Sequence, residues 1–289
     1  MAGLYQLTQI QWSLGNYCNY NCAYCPDVLK LGSVPFPDPD KFAKAFIRIY
    51  DAFAEYNLEI KGGEPTAYLG LEQAFALARK DPKKKITIET NGSKDLAWWQ
   101  LHASHFASVV ISVHKRYADL DHILKLAEFL KAQQVEVIVK FPIEPTNWND
   151  VIQIRNSFRY TGFNTELQLL YKNFTRGNNE YYDYSQEQID YYYEDKGIDP
   201  NQIPQQIEQI KIHKLNQYTG HMCWVGIDQF VIDRQGYVFR GWCEQNGTLG
   251  NILEGPIIWP TDPVVCRRAL CSNGFDLQAR KSEKSWGNL

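Results

Sequence analysis

The sequence predicts an α/β fold with a parallel sheet, on two observations. Six short runs rich in β-formers are spread between residues 7 and 171, and helical periodicity fills the gaps between them. The first run is LTQIQWSL (7–14). A loop follows, then DPDKFAKAFIRIYDAFAEY, in which Phe42, Phe46, Ile49, Phe53 and Tyr56 recur at three- and four-residue steps. Asp38 and Pro39 supply the cap and first turn of that amphipathic helix. The later runs are LEIKGG (58–63), KITIET (85–90), SVVISV (108–113), VEVIVKF (135–141) and LQLLY (167–171), separated by helical segments at 71–80, 95–104, 119–133 and 147–160. Repeated βα units with right-handed crossovers give a doubly wound sheet or a full or partial barrel. In either case the chemistry belongs at the C-terminal ends of the strands.

Composition narrows the class. The chain has 289 residues, 44% of them hydrophobic and 22% charged, enough apolar surface for one large domain with a small appendage. The net charge of -3, with KDPKKK at 80–85 as its one short basic run, argues against a large RNA or an anionic membrane as partner. No stretch approaches the roughly 18 apolar residues of a membrane span, and the start MAGLYQLTQIQWSLG has neither a basic nor an apolar signal region. A cytoplasmic location is expected. Seven cysteines are few and odd in number for a disulfide scaffold, and clustered thiols in a reducing compartment read as metal ligands.

The segment 172–222 is rich in Tyr, Gln, Asn and Asp, and reads as a connector or substrate-facing lid as readily as packed core. Ser185 and Gln188 form a capping box for a short helix there. From 223 to 289 the chain reads as a small cysteine-bearing unit. Within it, IDQFVIDRQGYVF is a hairpin turning at Arg234-Gln235-Gly236. The expected division is thus 1–171, 172–222 and 223–289.

Cys18, Cys22 and Cys25 lie on the loop after the first run, where a βα loop carries chemistry. Three thiolates at this spacing can wrap an iron-sulfur cluster and leave one iron without a protein ligand. A zinc site or inert buried thiols are the alternatives, and no fourth Cys or His lies close in sequence for zinc. Gly62-Gly63-Glu64-Pro65 ends the second run. The glycines admit close approach of a ligand, Glu64 offers a carboxylate to a ligand ammonium, and Pro65 fixes the turn; alone, the segment is only a tight turn.

Together the two motifs resemble the radical S-adenosylmethionine (SAM) enzymes. The resemblance covers about residues 5–171 and implies a partial (β/α)6 TIM-like barrel. It further implies a four-iron four-sulfur cluster on Cys18, Cys22 and Cys25, with the open iron taking the amine and carboxylate of SAM and the GGEP segment binding the methionine amine. By the same resemblance the backbone at Tyr24 lies by the adenine, and Thr90, Asn91 and Ser112 contact the methionine carboxylate or ribose. Packing and turn chemistry are the plainer roles for these four. Lys140 either faces the barrel as a cation for the SAM carboxylate or points outward to solvent. His114, Glu144, Tyr171 and Lys172 fall at strand ends and are candidate substrate contacts, with His114 alternatively a polar loop residue.

Cys223, Cys243, Cys266 and Cys271 complete a set of four. With Leu249-Gly250-Asn251-Ile252, this segment resembles the SPASM extension of radical SAM enzymes in its shortened Twitch form, an α+β unit with one auxiliary four-iron four-sulfur cluster. A zinc knuckle, or three ligands and an open iron, are the alternatives. Three plus four uses all seven cysteines, so no thiol remains to return a hydrogen atom to a substrate radical. A net oxidation is therefore expected: dehydrogenation, or C-C, C-S or C-N bond formation on a peptide or small metabolite. The reading requires an external one-electron reductant of the flavodoxin or ferredoxin type. With the first strand starting near residue 7 there is no room for an N-terminal peptide-recognition domain, which weighs against a leader-peptide substrate unless a separate peptide-recognition protein captures it. Other readings are a radical SAM enzyme of nucleotide or cofactor biosynthesis, an epimerase, and a non-catalytic iron-sulfur redox protein.

Overall fold

In the computed structural model, which describes residues 7–77, 81–173, 180–197 and 215–284, each βα repeat forms where the periodicity places it. Strand β1 (Thr8–Leu14) is followed by α1 (Pro39–Ala52), then β2 (Tyr56–Gly62), α2 (Gly70–Leu77), β3 (Lys84–Thr90) and α3 (Leu96–His102). Strand β4 (Ser108–Ser112), α4 (Leu120–Ala132), β5 (Glu136–Ile143), α5 (Trp148–Tyr160) and β6 (Asn164–Leu169) complete the series. The six strands pair in sequence order, all parallel. Asp38, Asp95 and Asp119 cap α1, α3 and α4 by accepting from the N3 backbone amides.

Alternation along the strands divides the sheet. Ile10, Trp12 and Leu14 of β1 are buried on the outer face, where Trp12 meets Phe42 of α1 at 4.8 Å between ring centroids. Phe46, Phe75, Trp99, Leu126 and Phe158 extend this apolar layer beneath the outer helices. Gln11, Glu59, Glu89 and Lys140, at the alternate positions, leave the inner face polar.

Beyond β6 come a two-stranded ribbon, β7 (Tyr171–Asn173) with β8 (Glu180–Tyr181), and α6 (Gln186–Asp195), capped by the Ser185–Gln188 box. The described part of the expected connector is packed structure. Tyr192 and Tyr193 are buried in the main core, the Tyr184 hydroxyl donates to the Ile143 carbonyl (2.6 Å), and buried Arg155 of α5 pairs with Asp195. Residues 174–179 and 198–214 of that segment lie outside the described residues.

The C-terminal part contains β9 (His221–Cys223), β10 (Gln229–Ile232), β11 (Tyr237–Phe239), β12 (Thr248–Asn251), β13 (Val264–Val265), α7 (Gly274–Gln278) and β14 (Lys281–Lys284). The expected hairpin is β10–β11, and it joins the main sheet. β10 pairs parallel with β1, in register Gln11↔Val231, and β11 and β12 add antiparallel, giving nine strands in the order β12-β11-β10-β1-β2-β3-β4-β5-β6. Its Phe230, Ile232 and Val238 belong to the main core, while Cys223, Val225, Val264, Cys266 and Ala279 form a second, small cluster.

Candidate functional site

One residue closes the loop that leaves β1. Asn16 is fully buried; its side-chain amide donates to the Val28 carbonyl and the Ser33 hydroxyl (both 3.0 Å), and its Oδ1 accepts from the Val34 amide (2.7 Å). The cysteine triad rides on the loop so formed. Cys22 is buried, Cys18 and Cys25 half-buried, and the Cys22 carbonyl accepts from Lys30 Nζ (2.7 Å). Burial pushes all three thiols up, Cys25 to about 11, so binding a metal centre there releases protons. The triad was legible in the sequence; Asn16 was missed, although Gly15-Asn16 after a strand is a turn signal.

The end of β2 is clamped against this loop. A Cβ on Gly63 would stand 2.0 Å from the Tyr17 carbonyl oxygen, and one on Gly62 2.3 Å from that of Leu14. The Glu64 amide donates to the same Tyr17 carbonyl (2.7 Å). The expectation that Glu64 offers its carboxylate to a ligand is corrected: the residue is 1% exposed and both oxygens are engaged. They accept from the Thr66 amide (3.0 Å), the Thr66 hydroxyl (2.7 Å), the Thr90 hydroxyl (2.6 Å) and the Asn91 amide (2.7 Å), which ties the end of β2 to the end of β3. Pro65, buried, opens the turn behind it. From β3, Asn91 Nδ2 reaches back to the Asn19 side chain (2.8 Å) and lies 3.9 Å from Cys18 Sγ.

A cavity of about 290 Å3 opens over these strand ends, with Cys18, Cys22, Cys25 and Tyr24 on one wall. Gly62, Gly63, Thr90, Asn91 and Ser112 line its floor and far side, with His114 and Tyr171 at its margin. His114 Nδ1 shares a hydrogen bond with the Tyr24 hydroxyl, and burial depresses its imidazole to about 4, so it is neutral near pH 7. Lys140 faces inward and pairs with Glu89 at 2.8 Å, so the outward, solvated alternative falls. Burial works against both charges, but each partner overcomes it: Glu89 sits below the usual carboxylate range and Lys140 above the usual ammonium value.

Two expected cavity contacts lie elsewhere. Lys172 is exposed and pairs with Glu180 (3.0 Å) and Asp183 (3.2 Å), because the β7–β8 ribbon turns it outward. Glu144 exchanges hydrogen bonds with Asn147 and lines a side cleft next to the cavity, sharing Cys22, Tyr24 and His114 as walls.

The four remaining cysteines gather on the C-terminal unit. β9 carries Cys223, which pairs in register with Val264 and Lys281, and the Cys266 amide donates to the His221 carbonyl (2.8 Å). Asn216 holds Cys271 through both its backbone carbonyl and its side-chain amide. Burial pushes the Cys223, Cys243 and Cys271 thiols up, the last two to about 12. Among the described residues, no three Cys, His, Asp or Glu side chains converge as ligands of one ion. A cluster of four irons is larger than an ion and spaces its thiolates more widely. The three thiols on one loop, with a cavity beside them, fit a cluster with a ligand next to it at the first site.

Residues 12–115 match the radical SAM superfamily. No curated protein matches the chain. Among solved structures, native anSMEcpe with bound AdoMet and Cp18Cys peptide aligns over 87% of this chain and 79% of its own, at 18% identity and TM-score 0.56. Streptococcus suis SuiB bound to precursor peptide SuiA aligns over 88% of this chain at 14% identity and TM-score 0.55; this chain spans only 64% of SuiB. BtrN in complex with AdoMet and 2-DOIA aligns over 87% of this chain and 80% of its own, at 16% identity and TM-score 0.50. These likenesses establish a shared fold. The cysteine triad, the glycine pair and the ends of β2, β3 and β4 all lie inside the segment that matches the radical SAM superfamily.

Proposed function

We propose that the chain is a radical SAM enzyme that carries out a net oxidation, a dehydrogenation or an oxidative C-C, C-S or C-N bond formation, on a peptide or small metabolite. The observation that supports it most is the convergence of Cys18, Cys22, Cys25, Gly62, Gly63, Thr90, Asn91 and Ser112 on one cavity at the C-terminal ends of parallel strands. A four-iron four-sulfur cluster on Cys18, Cys22 and Cys25, with SAM in the cavity beside it, would supply the radical chemistry of hydrogen-atom abstraction.

The chain's own residues do the rest. Cys18, Cys22 and Cys25 are the cluster ligands in this reading, and the Asn16-closed loop fixes their backbone. Gly62 and Gly63 let the end of β2 close against the backbone of the cysteine loop, while Thr90, Asn91 and Ser112 line the cavity beside it; Thr90 and Asn91 give their hydroxyl and backbone amide to Glu64, and Ser112 offers its hydroxyl to the carboxylate or ribose of SAM. Lys140 is committed to Glu89, so its charge acts on the cavity as part of a neutral pair. His114, bonded to Tyr24, presents an uncharged imidazole at the cavity margin.

Cys223, Cys243, Cys266 and Cys271 carry an auxiliary four-iron four-sulfur cluster in this reading, a place for the electron a net oxidation releases. Among the described residues the cavity walls hold no cysteine beyond the triad, which favours oxidation over an epimerisation quenched by a thiol. The shared fold houses peptides in anSMEcpe and SuiB and 2-DOIA in BtrN, so it admits both substrate classes. The reading includes an external one-electron reductant of flavodoxin or ferredoxin type.

The test is 5'-deoxyadenosine formation, followed by mass spectrometry, from anaerobically reconstituted protein given SAM and a strong reductant. The expected result is product from the wild type and none from Cys22→Ala. No product from wild type holding its full iron, together with no SAM binding by titration, would overturn the reading.

A further inference from the structure

A file of polar side chains runs through the inside of the sheet from the second cysteine set to the cavity. It begins at Asp276 of α7, which is 1% exposed. Its carboxylate accepts from the backbone amides of Trp242 (2.9 Å) and Cys243 (2.7 Å) and from Gln229 Nε2 (3.2 Å). Gly241 makes room for it, since a Cβ there would lie 2.7 Å from Asp276 Oδ1. From Trp242 the indole N–H donates to Gln11 Oε1 of β1 (2.7 Å), and the Gln11 amide donates to Glu59 Oε2 of β2. Glu59 pairs with Lys61 at 3.6 Å, and Lys61 lines the cavity.

Each link has a fixed polarity. An indole N–H only donates and an ionised carboxylate only accepts, and the amide of Gln11 satisfies both at once. Gln11 is 6% exposed, so neither bond has water as a ready substitute, and breaking one leaves a buried polar group unmade. A shift of Lys61 as the cavity fills is therefore passed to Glu59, Gln11 and Trp242, and Trp242 is covalently next to Cys243.

We propose that Asp276, Trp242 and Gln11 are positioning residues that lock Cys243 to the barrel wall and make the second cysteine set respond to SAM in the cavity. The proposal rests on the reading that both cysteine sets hold clusters. Its logic is a coupling between two sites through one bonded network.

The test uses the full chain, reconstituted anaerobically, with iron analysis and electron paramagnetic resonance of the reduced protein before and after SAM. The Cys22→Ala chain identifies the signal of the second cluster. In the wild type, SAM is expected to shift that signal as well as the first cluster's. Trp242→Phe keeps the ring and deletes the N–H; Gln11→Leu removes the amide at a position remote in sequence from every second-set cysteine. Both are expected to retain the iron of two clusters and the first cluster's response to SAM, and to lose the second cluster's response. A second-cluster signal that ignores SAM in the wild type, or a shift that survives both substitutions, overturns the proposal while leaving the proposed function standing. Iron for one cluster only in the wild type overturns the two-cluster reading and the proposal together.

Discussion

Lys140 of β5 and Glu89 of β3 meet at 2.8 Å on the inner face of the sheet, although β4 stands between their strands. The pair is largely shielded, its side chains 19% and 25% exposed, so removing one partner strands the other in a poor solvent. Lys140→Met is expected to cost about 2 kcal/mol in chemical denaturation, and adding Glu89→Gln to restore at least half of it. The depressed Glu89 carboxyl makes the pair's contribution complete above the unfolded carboxylate value of about 4.3, and lost as pH falls through the lower folded value. The raised Lys140 keeps it intact up to about pH 10.4, and it fades as pH rises through the folded value. Equal denaturation midpoints for wild type and Lys140→Met at pH 7 would refute this.

Gly63→Ala tests the clamp between β2 and the cysteine loop. The new methyl would meet a backbone oxygen at 2.0 Å, which no side-chain rotation relieves, so the loop has to move. The expected outcome is loss of iron at the first cysteine set together with a lowered melting temperature. Gly255→Ala, where a Cβ meets nothing within 4 Å, is the control and leaves both unchanged.

Glu64→Gln replaces an acceptor of four bonds with a group that donates at one end. At least one of the Thr66, Thr90 and Asn91 donors then faces an N–H, at a cost of about 1–3 kcal/mol. Thermal unfolding is the measurement. Because the carboxylate ties β2 to β3 beneath the cavity floor, SAM affinity by titration is expected to fall as well.

His114 makes the fold acid-sensitive. Its unfolded imidazole takes a proton near pH 6.5, whereas the folded one, depressed by burial, waits until about 4. Stability is thus complete above pH 6.5 and declines toward pH 4 by an amount on the order of 2 kcal/mol. His114→Gln keeps a partner for Tyr24 and has no such titration. Urea midpoints at pH 7 and pH 5 should differ more for the wild type than for the variant.

The βα series was legible because its outer face is a run of large apolar residues under helices with strong 3.6 periodicity, as at Phe42, Phe46 and Ile49. Edges were less legible. β6 begins at Asn164, not Leu167, since Asn164, Thr165 and Glu166 pair in register with Ile138, Val139 and Lys140 despite their polarity. The cysteines and glycines were visible because their chemistry depends on residue type. Glu64, Asn16 and Gln11 were not visible as structural ties, because only a fold reveals whether a polar side chain meets a ligand, solvent or a buried partner. Nor was the pairing of β10 with β1 legible, since the hairpin's own pattern is satisfied by its two strands and says nothing about a third.

That pairing has a consequence for how the chain is made. Gln9 and Gln229 are register partners in the sheet yet 220 positions apart in the sequence. At ribosomal speeds of about 5–20 residues per second, β1 waits roughly 10–40 s for its second neighbour to emerge. Throughout that interval one edge of an apolar, parallel strand is a template for any extended segment nearby, and the nascent chain depends on chaperones or on delayed collapse to keep the position vacant.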